Sequence, residues 1–311
     1  MRIALVVFHL VVLTVAPIFL IGVINRVKSL WAGRRGPALY QLWFDLTRLL
    51  CKTPVYSWNT SWLFPIAPYF VLATTICAGL IAPAVPGFAV ISFPGDLILF
   101  AYLLAFGRIV LMLSALDTAS AFEGMGASRE ATNSALLEPV LLLIVGTLGC
   151  LNNVMSFQDL VSGSTGSGFD MCVRIAIVFA LFIVLLVECS RVPADDPATH
   201  LELTMVHEVM VLDHSGPELA TVQYAAAMKT TLFAMVIAAI ANPFPAGDGG
   251  FTVLSMAATL LLLVILAGGI GLIESLTARL RFRALPLFIR AGFLAVVIAL
   301  IAVVARQGGL K

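Results

Sequence analysis

Residues 171–189, MCVRIAIVFALFIVLLVEC, decide the fold class of this chain. The run is long enough to cross the hydrocarbon core of a bilayer, which takes about 20 helical residues. Similar runs recur along the 311 residues, of which 61% are hydrophobic and only 11% are charged, whereas soluble proteins carry roughly 25% charged residues. Mean hydropathy is +1.06. We therefore predict an all-α integral membrane protein with about eight transmembrane helices, at about 3–25, 62–84, 96–117, 133–155, 171–189, 219–241, 252–274 and 285–305.

Lysine and arginine are concentrated in every second connection, and this bias predicts orientation because cytoplasmic loops are rich in these residues. The connections after the first, third, fifth and seventh runs carry Arg26, Lys28, Arg34, Arg35, Arg48, Lys52, Arg129, Arg191, Arg279, Arg281 and Arg283. The opposite side has only Arg2, Arg174, Arg306 and Lys311. We predict that both termini lie on the outer, periplasmic side of a bacterial or archaeal cytoplasmic membrane. The first run is too long for a signal-peptide core and is expected to be retained.

The chain reads as one polytopic membrane domain, 1–311, without an internal repeat. Its charged connections, 26–61, 118–132, 190–218 and 275–284, are predicted to form a cytoplasmic docking face. Five scattered cysteines contain no CxxC pair, which argues against an iron–sulfur cluster or a zinc site on this chain. We expect no cofactor here, and no nucleic acid as a partner; any redox chemistry belongs to other subunits.

Residues 26–52 combine a basic cluster, the turn RRGP at 34–37 and an amphipathic stretch. The stretch has Leu39, Leu42, Trp43, Leu46 and Leu50 at helical spacing, with Asp45 and Arg48 off that stripe. One interpretation is a positive anchor at the lipid interface. The other is a docking surface for an acidic soluble subunit, and it is favoured for Arg34 and Arg35.

Several ionisable residues fall within or at the ends of the apolar runs. A charge in a bilayer is costly, so such groups usually face a partner or water. A buried polar path is favoured for the deeper Arg108, Glu138 and Lys229, whereas snorkelling or a structural ion pair is an equal alternative for Glu274 and Arg290. The predicted ion-relay residues are Arg108, Asp117, Glu138, Glu188, Lys229 and Glu274.

Residues 188–218, ECSRVPADDPATHLELTMVHEVMVLDHSGPE, hold seven of the seventeen acids and three of the four histidines. Pro193 and Pro197 interrupt helix and leave Arg191, Asp195 and Asp196 in a turn. From Thr199 onwards, HLELTMVHEVMVL predicts a helix. Position 211 is valine, so the second histidine of an HExxH zinc motif is absent; a metal site from His200, His207 and a carboxylate, or a merely solvated loop, stay as alternatives.

Three motifs resemble the membrane subunit shared by respiratory complex I (subunit 1) and the group 4 membrane-bound nickel–iron hydrogenases. The first is RRGP at 34–37 with Gln41 and Asp45. The second is LDTASAFEGMGASREATNSALLEP at 116–139. The third runs from Glu188 to 215–216. The matching residues of the last two motifs are Gly126, Arg129, Glu130, Glu138, Glu188, Arg191, Pro193, Asp195, Pro197, Glu202 and Leu203.

Departures from the complex I pattern favour the hydrogenase branch. Ala38, Ala198 and His200 replace an asparagine and two acids, and Asp213 with His214 replaces a Glu-Tyr pair. The resemblance implies a non-catalytic subunit of a formate hydrogenlyase or hydrogenase 4 type complex that couples a soluble redox arm to proton or sodium translocation. A quinone-site subunit of a complex I-type enzyme and a stand-alone secondary transporter are the alternatives.

The resemblance also implies the partners and the residues that meet them. Expected partners are a hydrogenase-like large subunit, a small iron–sulfur subunit and antiporter-like membrane subunits within the lipid bilayer, with the nickel–iron centre and iron–sulfur clusters on the soluble ones. Acids matching Glu138, Glu188 and Glu202 lie along a buried path in that family. The docking and coupling residues predicted here are Arg34, Arg35, Asp45, Arg129, Glu130, Arg191, Asp195, Asp196, His200, Glu202, His207, Asp213 and His214.

Overall fold

A computed structural model describes residues 2–162, 168–195, 205–244, 249–280 and 284–307. Regular structure in these residues is helical. The helices are α1 Arg2–Thr14, α2 Ala16–Trp31, α3 Gln41–Leu50, α4 Leu63–Ile81, α5 Asp96–Asp117, α6 Ala121–Asn152, α7 Phe157–Ser162, α8 Gly168–Glu188, α9 His207–Met210, α10 Gly216–Ala241, α11 Gly249–Leu276 and α12 Leu285–Gln307.

Seven of the described helices, α4, α5, α6, α8, α10, α11 and α12, are long and apolar enough to cross a membrane. The pair α1 and α2 passes the same test together but bends by 48°. The protein is therefore a multi-pass membrane protein, with up to eight spans if the bent pair counts as one. Seven of the predicted runs coincide with these seven helices, and the run at 3–25 falls on the bent pair.

The bend between α1 and α2 has a local cause. Pro17 sits in the first turn of α2 and has no backbone N–H to continue the helical ladder. The N–H of Ile18 bonds Val15 O at 3.2 Å, so the carbonyl of Thr14 instead accepts the hydroxyl of Tyr224 at 2.7 Å. The predicted single helix at 3–25 is thus two helices joined at Val15, and α10 braces the join.

α10 is the centre of the bundle, and it packs against α2, α3, α4, α8 and α11. Its side chains from Leu232 to Ile240 are almost all buried. At one end of the bundle, the buried carboxylate of Asp96 accepts the N–H of Phe157 at 2.6 Å and holds α7 in place. The other end carries residues 32–37, 51–62, 118–120, 189–195, 205–215 and 277–280; we refer to it as the loop-rich end.

Two predicted boundaries differ from the structure. Residues 121–132, predicted as part of a connection, form the first turns of α6, with the small residues Gly126 and Ala127 and the acids Glu123 and Glu130 on its buried side. The helix predicted from Thr199 onwards is reduced, in the described residues, to the single turn of α9. Met205 and Val206 before it are not helical, because Val206 N–H bonds Asp195 Oδ2 at 2.9 Å instead of joining a helical ladder.

Candidate functional site

Four ionisable side chains from four different helices meet inside the bundle. Arg108 on α5 contacts Glu188 on α8, with Nη2 2.8 Å from Oε1. Lys229 on α10 contacts the same oxygen, also at 2.8 Å. Glu130 on α6 completes the group, with Oε1 3.8 Å from Arg108 Nε. We refer to these four residues as the ionic cluster.

The ionic cluster balances two cations with two carboxylates. Arg108, Glu130 and Glu188 are each less than a tenth exposed. Removing charges from water costs several kcal/mol per ion unless a partner compensates. The attraction between opposite charges therefore offsets the cost of removing each one from water. This explains why four charged side chains can lie between apolar spans. Within the described residues, Oε2 of Glu188 has no hydrogen-bond partner, which leaves an acceptor for water.

A small cavity of about 50 Å³ lies beside the ionic cluster, and Thr74, Thr75, Cys189 and His207 also line it. Such a volume has room for a few water molecules, and its polar lining offers them partners. A second cavity, of about 300 Å³, shares Cys189 and His207 with the first and extends toward the loop-rich end between α2, α3 and α10. Polar groups thus line a nearly continuous route from the loop-rich end to the ionic cluster.

His207, on the short helix α9, stands where the two cavities meet. Burial, with the neighbouring Lys229 adding to it, lowers the pKa of His207 to about 4. The imidazole is therefore neutral at pH 7, and it presents one N–H donor and one nitrogen acceptor to the cavities. A water molecule on either side of the ring would find a hydrogen-bond partner there.

A second ion-pair group lies at the ends of α2 and α11. Glu274 is fully buried at its side chain and lies 2.9 Å from Lys28 Nζ and 3.5 Å from Arg191 Nη1. Both cations line the larger cavity. Glu274, which sequence reasoning assigned to the ion relay, is thus joined to Arg191, which it assigned to docking.

Asp195 fixes the start of the polar connection. Its Oδ1 lies 2.8 Å from Arg279 Nη2. Its Oδ2 accepts the N–H of Val206 at 2.9 Å and that of His207 at 3.3 Å. This carboxylate therefore ties the end of α8, the start of α9 and the segment after α11 together.

The first turns of α6 hold the same connection from another side. Arg129 Nη1 donates to Met205 O at 3.0 Å. A Cβ on Gly126 would stand 3.0 Å from Val206 O, which is tighter than ordinary van der Waals contact. Gly126 therefore permits the close approach of α6 to the segment before α9, a packing reason for the glycine in the second motif.

His214 belongs to a further polar group that sequence reasoning only partly found. Its ring stacks on Phe64 at 4.0 Å, and its Nε2 lies 3.3 Å from Ser114 Oγ. Its Nδ1 lies 3.4 Å from Glu218, which accepts the hydroxyl of Tyr56 at 2.5 Å. Burial lowers the pKa of His214, and the bond to Glu218 raises the pKa of Tyr56 to about 12. His214 precedes α10, so helical spacing does not predict its contact with Glu218, and nothing in the sequence pointed to Tyr56.

Other predicted residues lie apart from the ionic cluster. Asp117 accepts the N–H and hydroxyl of Ser61 at 2.6 and 2.9 Å. Asp213 is exposed, and its N–H donates to Glu123 Oε1 at 3.3 Å. Arg34 and Arg35 are exposed at the loop-rich end. Asp45, on α3, accepts from Gln41 at 3.3 Å.

Glu138 is exposed on this chain, and its place on a buried polar path stays a prediction. It lies on the outward face of α6, where Ala135 and Leu142 are also exposed. The apolar run around Glu138 does not predict which side of the helix it lies on, because α6 is hydrophobic on more than one side. Asp196, His200 and Glu202 lie outside the described residues. The metal hypothesis rests on His200; in the part of the chain that the structure describes, no group of three metal-ligating side chains forms.

Comparisons with known proteins agree with this architecture. A family model described as NADH dehydrogenase matches residues 3–305. Hydrogenase-4 component C of Escherichia coli K12 is 29% identical over 243 residues, 75% of this chain and 73% of that protein. Formate hydrogenlyase subunit 4 of the same organism is 28% identical over 295 residues, 91% and 92% of the two chains. A subunit of the NADH-quinone oxidoreductase of Methylococcus capsulatus is 24% identical over 193 residues, 60% and 61% of the two chains.

A solved structure shares the fold. A chain of the membrane-bound sulfane sulfur reductase, described as an archaeal respiratory membrane complex, superposes with a TM-score of 0.81. The match covers 96% of this chain and 99% of that one, at 18% sequence identity. At this sequence identity the match shows that the two chains share a fold, and it shows nothing more.

Proposed function

This chain belongs to the NADH dehydrogenase family and is a membrane subunit of a hydrogenase or complex I-like complex, and we propose that it anchors and couples a group 4 nickel–iron hydrogenase of the formate hydrogenlyase type. It docks the soluble redox arm at the loop-rich end and relays the reaction there to proton or sodium movement in the membrane. The nickel–iron centre and the iron–sulfur clusters belong to the partner subunits.

The observation that carries the proposal is the contact between docking and relay residues. Arg191 and Lys28 share Glu274, and Asp195 binds the backbone of His207. His207 in turn lines both cavities and faces the ionic cluster. A displacement or change of charge at Arg191 or Asp195 therefore alters the surroundings of Glu188 within a few side chains.

The ionic cluster is suited to respond to such a change. Arg108 and Lys229 share one oxygen of Glu188, so a shift of the carboxylate toward one cation weakens its contact with the other. In a low-dielectric interior such a shift changes the electrostatic balance among the three side chains. Water in the adjoining cavities would then carry protons to or from the ionic cluster.

The docking face of the proposal lies at the loop-rich end, which we assign to the cytoplasm, with both termini outside. A large hydrogenase-like subunit and a small iron–sulfur subunit bind there. Antiporter-like membrane subunits bind beside α6, where the exposed Glu138 meets them. The proposed docking and coupling residues are Arg34, Arg35, Asp45, Arg129, Glu130, Arg191, Asp195, His207, Asp213 and His214, together with Asp196, His200 and Glu202.

The test is purification of the complex through this subunit in mild detergent, followed by identification of the partners and nickel analysis. We expect nickel together with a hydrogenase-like large subunit and a formate- or carbon monoxide-oxidising partner. An NADH-oxidising arm without nickel would overturn the hydrogenase assignment and favour the alternative below.

A quinone-site subunit of a complex I-type enzyme is the second candidate. The cavity of about 300 Å³ between α2, α3 and α10 favours it, because its apolar and polar lining residues suit an amphipathic ring. Photolabelling of the complex with an azidoquinone tests this candidate. Competable labelling of Leu42 or Gln223 would support it, and labelling that excess quinone does not reduce would count against it. A stand-alone transporter has no support from the family.

A further inference from the structure

All four tryptophans of the chain lie between positions 31 and 62. They are strongly exposed: Trp31 is 59% exposed, Trp43 54%, Trp58 103% and Trp62 73%. Six of the eighteen lysines and arginines fall in residues 26–62, with Asp45 as the one acid there. Tryptophan with basic residues is the composition of a membrane–water interface on the side that carries positive charge.

The depth of α3 decides whether lipid or protein covers this surface. A Cβ on Gly22 would stand 1.9 Å from Leu39 O, so the chain just before α3 lies directly on Gly22. Gly22 is nine residues before Trp31 on α2, which is about 13 Å along a helix. α3 therefore begins below the end of α2, alongside the spans and not on top of them.

α3 presents one face to the bundle and the opposite face outward. Leu46 is buried where α3 packs against α2 and α10. Tyr40, Trp43 and Phe44 are about half exposed, and Leu50 slightly more. Because α3 lies beside α2 and not beyond its end, this exposed aromatic face is placed where acyl chains can reach it.

The far end of α3 returns to the loop-rich end. Lys52 O lies 3.0 Å from the place a Cβ on Gly216 would take, at the start of α10. Arg48 and Lys52 are exposed there. Cations thus stand at headgroup level above an aromatic face at acyl-chain level, which fits an anionic lipid in both charge and polarity.

We propose that the outward face of α3 and its flanking residues, made of Tyr40, Trp43, Phe44, Arg48, Leu50 and Lys52, binds anionic phospholipid in preference to zwitterionic phospholipid. Acyl chains pack on the aromatic residues, and the headgroup phosphate lies near Arg48 and Lys52. Nothing in this proposal requires the hydrogenase assignment.

The fluorescence of Trp43 tests the proposal, in a full chain in which Trp31, Trp58 and Trp62 are replaced with phenylalanine so that the signal comes from the proposed face. The chain is reconstituted in nanodiscs of equal parts phosphatidylglycerol and phosphatidylcholine, with bromine on the acyl chains of one lipid at a time. Bromine quenches tryptophan only at contact. We expect brominated phosphatidylglycerol to quench at least about twofold more strongly, a fraction of the roughly fivefold enrichment that one interfacial cation gives near anionic lipid.

Three variants distinguish a specific site for anionic lipid at Arg48 from a general attraction of the membrane interface. Arg48→Gln should bring the two quenching values together, whereas Arg48→Lys should keep them apart. Arg306→Gln, an exposed arginine at the other end of the bundle, should change nothing. Equal quenching by both lipids in the chain with Trp43 as its one tryptophan would overturn the preference, and absence of quenching there would show that protein, not lipid, covers the surface.

Discussion

Arg108 and Glu188 form an ion pair inside the bundle, with 2.8 Å between Nη2 and Oε1, although eighty residues separate them in sequence. Lys229 binds the same oxygen. Glu188 therefore contacts both cations of the ionic cluster, and its replacement tests the cluster directly.

Replacing Glu188 with glutamine should destabilise the chain strongly. The change leaves Arg108 and Lys229 with Glu130 as their remaining acid in the cluster, and breaking a buried pair costs about 3–5 kcal/mol. Unfolding free energy in mixed detergent measures the effect. The matched control is Asp213→Asn, the same carboxyl-to-amide change at an exposed position outside the spans, which should stay within about 0.5 kcal/mol. Similar values for both variants would contradict the cluster's structural role.

Replacing Glu138 should instead affect ion movement in the complex. Its side chain lies on the outward face of α6, and a carboxylate there is costly unless a neighbouring subunit covers it. We expect Glu138→Gln to lower ion translocation while hydrogen evolution with an artificial electron donor stays unchanged. Vesicles that retain the full translocation rate would refute a relay role for this residue.

Gly22 should tolerate no side chain. A Cβ there meets the backbone of Leu39 at 1.9 Å, and backbone cannot yield as a side-chain end can. We expect Gly22→Ala to displace α3 and to lower the thermal midpoint markedly. Gly146→Ala is the control, because a Cβ at that helical glycine meets nothing within 4 Å and alanine favours helix by about 1 kcal/mol. A stable Gly22→Ala chain would show that α3 does not lie on α2.

Asp195 should matter for assembly through its acceptor oxygens. It binds Arg279 and the N–H groups of Val206 and His207. Asp195→Ala removes all three contacts and should release the soluble subunits during purification. Asp195→Asn keeps an oxygen that accepts from the N–H groups, so this variant should retain more of the soluble subunits than Asp195→Ala does. If both variants retained as much of the soluble subunits as the unmodified complex, Asp195 would have no role in assembly.

His207 should make the chain less stable in mild acid. Its pKa falls from 6.5 to about 4 on folding, mainly because of burial. Between these values the unfolded chain binds more protons than the folded one, so stability is full above pH 6.5 and declines as pH falls toward 4. His214 acts in the same direction, since its pKa is also lowered. Between pH 7.5 and 4.5 the thermal midpoint should fall less steeply with pH for His207→Gln than for the unmodified chain. The same pH dependence in both chains would show that folding does not lower the pKa of His207.

The spans and the broad family could be predicted from the sequence. Runs such as 171–189 are apolar over the thickness of a bilayer, and this requirement is local, so composition reveals it. The motif around Arg129 and Glu130 likewise carried the family resemblance. The bend at Val15 was less accessible, because a proline near a helix start is compatible with both a continuous and a broken span.

The ionic cluster was only partly predictable. Arg108, Glu188 and Lys229 stand out as charges in apolar runs, but their common contact depends on how α5, α8 and α10 pack, and helix packing is non-local. Glu138 illustrates the limit: it matches a motif and lies in an apolar run, yet it points outward. Sequence places a residue on a helix, and only the neighbours of that helix decide which face is inside.

The sequence by itself therefore determined that this protein spans a membrane and belongs to a family of respiratory and hydrogenase subunits. Both conclusions rest on features of short contiguous stretches, namely the length of apolar runs and short motifs. Tertiary structure alone decided that Glu188 joins two cations, that Glu274 joins Lys28 to Arg191, and that α3 lies beside Gly22. Each of these depends on contacts between residues distant in the chain, where packing and the cost of an unpaired buried charge select the arrangement.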